Sequence, residues 1–574
     1  RGEPVPLVLG RHRMAPPLAA PSYSEIVGDD HYIRALFCLG YGPLNISDLR
    51  IGDTPLSEFE DVTYELREGR VGDAPVSLYP RQVLEETLGV ELVRPLPRDS
   101  AGEVIDGDAI STPVTRVTAT DSASACVILS FSGGLFKVRD SGDVTTAKVE
   151  VRIRQRQAGG VWDTVKTLNV SAATRTGFYR QHKWSLPSRG RWEIEVTRMT
   201  DETTSTQTSD RVVFAVLQSV RPEYPINMSK PLALIAMRVR ASYQLNGRLD
   251  NVNAVVQRET KDWTGSAWTP ALSRNPASAY LAALQGPSSP FPVPDSAIDF
   301  DALAEWHDFC AAKGLRYDAV HETAQSLGDM LAAIAQAGRA SPRHDGVTWS
   351  IVIDRPQTLA VDHLSARNTS GFTWQRSFTD PPDGFRVRFS DETNDWEPAE
   401  RIIPWLGHTG DVGLTEELAL PGKTHPDEIW REARRRMYEV THRAETYTLT
   451  QDGATRVATR GDLVMGAFDV LDRSLHAARV RAVEGRVIAL DMPVALDSAT
   501  EYGLRYRVFE DDDDAVGTSV VVGLRPVAGE TGLLSLRGQT QMPDPGALVQ
   551  IGPLGQEALA MRVAEVMPLA DCAK

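Results

Sequence analysis

Apolar and polar residues alternate in short runs over most of the chain. The first long signal is Tyr32-Ile33-Arg34-Ala35-Leu36-Phe37-Cys38-Leu39-Gly40, nearly continuous in apolar side chains and ended by Gly40, Gly42 and Pro43. That pattern is expected of a strand covered on both faces. Shorter strands are predicted at 46–51 and 62–67, divided by Gly52-Asp53-Thr54-Pro55 and closed by Glu68-Gly69. From about Thr115 to Leu217 the strands become short and evenly spaced, at 125–131, 147–155, 162–170, 177–186, 191–199 and 212–218. Within them Val149, Val151 and Ile153 alternate with Glu150, Arg152 and Arg154, so one face belongs in a core and the other in water. The spacing predicts an Ig-like β-sandwich of about 100 residues, able to bury its own core.

The period then lengthens. Asn275 followed by Pro276 predicts a helix N-terminus, and a second helix follows Asp299 with Phe300, Leu303, Trp306 or His307 and Cys310 on one stripe until Gly314. A third is expected over 323–337, on Leu327, Leu331 and Ile334, stopping at Gly338. Asp345-Gly346 predicts a type I′ hairpin before the alternating Val347, Trp349, Ile351 and Ile353. A fourth helix begins at Pro426, with Asp427 and Glu428 in its first turn, a stripe of Ile429, Ala433, Met437 and Val440, and Arg434–Arg436 on its other face. Residues 445–570 return to short strands with Gly-rich turns, as in a barrel or small sandwiches. The expected fold is therefore mainly β with α+β parts. It is divided into an extended N-terminal segment 1–21, a first β domain 22–115, an inserted sandwich 116–217, an α+β domain 218–400 and a helix plus barrel-like domain 401–574.

Composition agrees with several folded domains. The 574 residues exceed one core, 42% are hydrophobic and 24% charged, and there is no low-complexity tract. There is no uninterrupted apolar stretch of about 18 residues. Arg1-Gly2-Glu3-Pro4 carries neither an initiator Met nor a signal-peptide core, so the chain reads as part of a longer protein. A net charge of −16 argues against tight nucleic-acid binding, which depends on clustered Lys and Arg. Cys38, Cys126, Cys310 and Cys572 are too scattered for a disulfide framework or a zinc site and read as reduced and mostly buried. The sequons at Asn45, Asn169, Asn227 and Asn368 read as chance.

The candidate chemistry is sparse. No phosphate loop, dinucleotide fingerprint, zinc-protease helix or nucleophile elbow is present. Trp306-His307-Asp308-Phe309-Cys310 with His321 places His and Cys at i, i+3, a spacing open to a metal or a nucleophile–base pair, but Cys310 lies on the apolar stripe and reads as core. Asp511–Asp514 lack the interleaved glycines of a calcium loop and read as a solvated turn. Trp184, Trp192, Trp263, Trp268 and Trp374 read as core or interface rather than a sugar platform. The Arg434–Arg436 run fits either pairing across a subunit boundary or a solvated face in which Glu432 meets Arg436 at i, i+4. No catalytic, cofactor-binding or metal residue is assigned, no cofactor is expected, and the chain is not expected to be an enzyme.

Several segments, in order, resemble the tip attachment protein J family of lambda-type siphophages. Gly42-Pro43-Leu44, then Leu49-Arg50-Ile51-Gly52-Asp53-Thr54-Pro55-Leu56, looks like that family's opening, a Gly-Pro turn before a strand and a Thr-Pro-Leu corner. Gly346-Val347-Thr348-Trp349 leading to Asp354-Arg355-Pro356 is similar to its hairpin. Phe385–Phe389, Asn394-Asp395-Trp396-Glu397, the helix from Pro426 and Gly461-Asp462-Leu463-Val464 then follow in the family's order. The resemblance implies a structural tail-tip hub in the virion at the distal end of the tail. It implies a homotrimer around the tail axis, bound to the distal tail protein, the tape-measure protein and other tip proteins or fibres, and acting as conduit for genome ejection. The family's N-terminal segment and its C-terminal fibronectin-like and receptor-binding region are expected to be absent, which leaves any host-envelope contact to other parts. A tail-associated cell-wall or carbohydrate hydrolase, or a monomeric adhesin, are the alternative readings. Subunit contacts are expected from 22–115, 219–400 and 401–574, with the sandwich outside the hub and dispensable for its fold.

Overall fold

The computed structural model describes residues 4–28, 30–221, 230–240, 251–378, 380–451, 457–511, 514–538 and 541–567. Asn227, Asp512, Asp513 and Cys572 lie outside the described residues. The fold is mainly β, with four α-helices among the described residues, and divides into two compact units, Arg1–Val293 with Arg316–Met330 and Pro294–Leu315 with Leu331–Lys574. This division cuts through the stretch read as one α+β domain. The reason is packing: helix α1 (Pro276–Gln285) lies on the strand Val252–Trp263 of the first unit, whereas α2 (Phe300–Lys313) lies on Trp349–Ile353 of the second.

In the first unit the apolar run forms the strand Asp30–Tyr41, paired with Leu232–Arg240 inside a four-stranded sheet edged by Leu18–Val27 and Val62–Arg67. Both faces are covered as its composition requires. Ala35, Phe37 and Leu39 join one core with Ile235 and Met237, under a second sheet of Arg11–Met14, Val252–Trp263 and Leu44–Ile51. Leu36 and Cys38 join another with Leu234, Ala236, Val76 and Tyr79. Asn275 caps α1 by accepting from Ala277 N at 2.9 Å, and every residue from Pro276 to Leu284 is buried. A helix apolar all round must be enclosed.

In the second unit Asp299 caps α2 through Ala302 N at 3.0 Å, and Gly314, at φ +60°, ends it. Helix α3 (Leu327–Ala337), whose first residues through Met330 belong to the first unit, starts four residues inside its expected limit. Ser326 Oγ accepts from Asp329 N at 3.1 Å and donates to its carboxylate at 2.7 Å, a Ser-x-x-Asp capping pair. The helix ends before Gly338 as expected, yet the left-handed residue is Arg339, at φ +53°. Gly338 is required for space: a Cβ there would stand 2.5 Å from the ring of Trp306, whose Nε1 donates to Gly338 O at 2.9 Å.

Three local expectations are corrected. The hairpin at Asp345-Gly346 has a four-residue loop and no type I′ turn, because pairing closes at His344↔Trp349 and of the two only Gly346 has positive φ. Asp345 instead accepts from Val347 N at 2.9 Å and Thr348 N at 2.7 Å, leaving Val347 exposed. On α4 (Pro426–His442) Ile429, Ala433 and Met437 are buried but Val440 is not. Glu432 does not meet Arg436 there. It is buried and takes both nitrogens of the Arg339 fork, at 2.7 and 2.9 Å. Arg435 goes to Asp354 and Glu439, Arg436 to Glu439, and Arg434 lies over the Trp430 ring. Asp354, of the Asp354-Arg355-Pro356 segment, gathers Arg435, Arg443 and Arg562 on one carboxylate.

The C-terminal strands form a six-stranded barrel, in the order Thr518–Gly523, Tyr502–Val508, Leu548–Pro553, His476–Glu484, Val487–Leu496 and Gly529–Ser535. A bridge from Leu524 to Leu536 closes the ring around Leu504, Tyr506, Ile488 and Val549.

Candidate functional site

The most distinctive construction is the sandwich and its mounting. One sheet runs Phe178–Gly190, Ser122–Phe131, Val213–Val220 and Val83–Glu91, the other Asp163–Ala172, Ala147–Arg156, Glu193–Arg198 and Val114–Val117. Their inner faces bury Val127, Leu129, Phe131 and Phe214 against Val149, Val151, Ile153, Ile194 and Val196. The first sheet includes Val83–Glu91, and Leu92 is in the core, so the structural sandwich begins about thirty residues before the expected 116. Its two ends meet: Arg221 N donates to Gln82 O at 3.1 Å and Arg221 Nη1 to Gln82 Oε1 at 3.0 Å.

The outer face of the first sheet is seated on the edge strand Leu18–Val27. An unpaired sheet edge exposes alternate backbone groups, and here sandwich side chains take them. Glu85 accepts from Ser24 N at 2.7 Å and Ser24 Oγ at 3.0 Å, Gln218 Nε2 donates to Ser24 O at 2.5 Å, and Gln181 Nε2 donates to Ile26 O at 2.5 Å. Ile26 itself is enclosed by Cys126, Ile128 and Val216. The sandwich is thus held by side chains that imitate a strand. The opposite outer face, read as solvated, is more closed than its composition suggests. Arg154 grips Glu195 with both nitrogens at 2.8 and 2.9 Å, Arg156 takes Glu193, both guanidiniums cover Trp162, and Glu195 is left buried.

The other candidate residues serve the fold. His307 and Cys310 are buried on α2, with the Cys310 thiol 3.9 Å from Gly338 O. His321 belongs to the first unit, 3.1 Å from Tyr317 Oη. Burial pushes the Cys310 thiol up to about 12, which disfavours the thiolate a nucleophile needs. Among the described residues no three His, Cys, Asp or Glu side chains gather as a metal site. Asp514 accepts backbone bonds from Gly517 at 2.8 Å and Val516 at 3.1 Å, as a turn residue. Trp192 is in the sandwich core, Trp184 donates to Gln155 at 2.8 Å, Trp263 and Trp268 form a cross-strand pair, and Trp374 is exposed. Cys126 is likewise raised to about 12 by burial, and Cys38 is raised. With Cys572 replaced by Ser, a thiol reagent at pH 8 is expected to modify none of the remaining cysteines in the folded chain within minutes and all three after denaturation. Rapid labelling of Cys310 in the folded chain would restore the nucleophile reading.

Residues 104–223 match the family model of the tip attachment protein J FNIII-A domain. The sandwich of this chain is thus similar to a domain of a phage tail-tip protein family. The match lies on the mounted sandwich, which is therefore of the fibronectin type III class rather than simply Ig-like. That family belongs to the virion tail, among structural proteins that associate with other tail proteins. No curated protein matches it. Similar solved structures include the 43 kDa tail protein of prophage MuSo2 from Shewanella oneidensis, at 10% identity and TM-score 0.24 over 74% of this chain and 98% of that one. The isomalto-dextranase of Arthrobacter globiformis T6 with panose aligns at 11% identity and TM-score 0.14, over 34% of this chain and 36% of that one. Neither TM-score reaches a shared fold, so no argument rests on either.

Proposed function

We propose that this protein is the central hub of a siphophage tail tip, at the distal end of the tail. In this reading three copies surround the tail axis, close the tube, anchor tip or fibre proteins and form the conduit through which the genome leaves. The distal tail protein and the tape-measure protein are its neighbours. The observation that carries the reading is the FNIII-A match over 104–223, set within a chain whose other segments resemble the same family in order. The covered strand Asp30–Tyr41 and the mounted sandwich suit a scaffold. The net charge of −16 suits a passage that does not retain DNA. The hydrolase alternative has no described site to favour it.

Light scattering on the purified chain is expected to give a species near three times its 62.9 kDa mass. A stable monomer at micromolar concentration, together with antibody labelling of virions away from the distal tip, would overturn the reading.

A further inference from the structure

The barrel hangs on two adjacent tethers. It is entered from the strand Leu463–Ala467 and left into Leu559–Arg562, and these pair with each other in a three-stranded sheet with Ala360–Ser365. The face it turns to that sheet is polar. Arg505 and Arg507 alternate with Leu504 and Tyr506, which fill the barrel, so both guanidiniums point outward. Arg507 lies 3.2 Å from Asp362 and donates to Val361 O at 3.1 Å. Gln550 Nε2 donates to Leu364 O at 3.0 Å and Met465 O at 2.8 Å.

His363 is shut into this seam, 1% exposed, with Nε2 2.9 Å from Ser519 Oγ. Ser519 Oγ also accepts from Arg505 Nη1 at 3.1 Å. Three buried atoms of the seam have no hydrogen-bond partner among the described residues: His363 Nδ1, Arg505 Nε and Gln550 Oε1. Such groups are rare in folded proteins because each forfeits its hydration without return. Opening would return all three to water.

We propose that the seam is a proton-operated latch: acid releases the barrel from the three-stranded sheet because His363 can take up a proton when the seam is open and not when it is closed. The charges facing His363 explain the exclusion. Arg505 and Arg507 come from Tyr502–Val508, whereas Ser519, from Thr518–Gly523, is neutral. The carboxylates are committed elsewhere, Asp362 to Arg507 and to Gln451 at 2.7 Å, and Glu557 on the outgoing tether to Arg505 at 3.2 Å. An imidazolium would therefore add an unbalanced charge. Burial pushes the His363 pKa down from 6.5 to about 3, and Arg507 and Arg505 add to the effect. A depressed histidine leaves the closed seam intact above 6.5 and weakens it progressively as pH falls from there toward 3. Between pH 7.5 and pH 5 the open-to-closed ratio should rise about 30-fold.

Hydrogen–deuterium exchange of the full chain, corrected for intrinsic rates, tests this. Amides of Ala360–Ser365 and Thr518–Gly523 are expected to lose about 30-fold in protection at pH 5, while His476–Glu484 keeps its own. In His363→Gln, which retains a polar side chain but cannot titrate, the loss should vanish. An equal loss in the variant, an unchanged seam in the wild type, or simultaneous loss throughout the barrel would each sink the latch. If the variant fails to fold, titration of the His363 ring by NMR in the wild type decides: a pKa below 5 supports the latch and one at or above 6 refutes it.

Discussion

A chain in which residues 83–220 are replaced by a short Gly-Ser linker is expected to remain soluble and to keep the rest of its first unit folded, whereas one lacking only 116–217 is expected to aggregate. The difference follows from where the sandwich begins. Gln82 and Arg221 are hydrogen-bonded neighbours, so a few flexible residues can join them without moving either end. The cut at 116–217 instead leaves Val83–Glu91 with only Gln218–Val220 of its partner strand, unpairs Glu86–Glu91 and strips the core from Leu92. An unpaired strand with a bared apolar face is a template for association. The longer excision is not free. It uncovers Ile26 and returns the edge groups of Ser24 and Ile26 to water, at a cost of about 1–3 kcal/mol. Gel filtration with circular dichroism separates the outcomes. Equal behaviour of the two deletions would show that the sandwich does not begin at Val83, and loss of both would show that the first unit depends on it.

Replacing Arg339 by Gly is expected to destabilise the second unit by about 2–4 kcal/mol at neutral pH. Removing one partner of a buried ion pair typically costs about 3–5 kcal/mol because the other charge is stranded. Here about 1 kcal/mol is recovered, since Gly adopts the left-handed conformation of residue 339 without strain. The carboxylate left behind is Glu432, whose other support is weak: Arg431 reaches it once, at 3.2 Å, and Lys423 is committed to Glu428 at 2.5 Å. Burial alone would raise the Glu432 carboxyl, and Arg339 overrides it and holds it below the usual 4.5. In the wild type the pair's contribution is therefore present above 4.5 and lost as pH falls through the lower folded value. In Arg339→Gly the sign reverses. With the carboxyl raised, the penalty grows as pH climbs above 4.5 and fades below it. Denaturant unfolding followed through the amides of α4 at pH 4 and pH 7 should show this crossover, and adding Glu432→Leu should restore most of the loss. A variant equally stable at both pH values, or no rescue by the second substitution, would mean that the pair does not carry this stability.

Much of the fold was legible because it depends on local chemistry. Asn275-Pro276 and Asp299 to Gly314 bounded two helices, since caps and left-handed termini are set by neighbouring residues. The apolar run 32–40 could only be a strand covered on both sides, and it divides its odd and even residues between two cores. The Ser326-x-x-Asp329 pair was also local, and it marks a helix start that the apolar period alone placed too early.

The mounting of the sandwich was not legible in the same way. Val83–Glu91 looks like part of the preceding domain because it follows that domain in sequence, and only its pairing with Val213–Val220, well over one hundred residues later, assigns it to the sandwich. Nothing local in the sequence distinguishes Glu85, Gln181 and Gln218, whose role appears only where the strand Leu18–Val27 presents its edge to them. The same holds for Gly338, kept small by Trp306, and for Glu432, which meets Arg339 instead of the Arg436 on its own helix. Sequence alone determined three helix starts at Asn275, Asp299 and Pro426, the long run 32–40, the evenly spaced strands from 115 to 217 and the resemblance to a tail-tip family. Tertiary structure decided which charges are buried, where each module begins and which groups share a seam, because those depend on residues far apart in the chain coming within a few ångströms of each other.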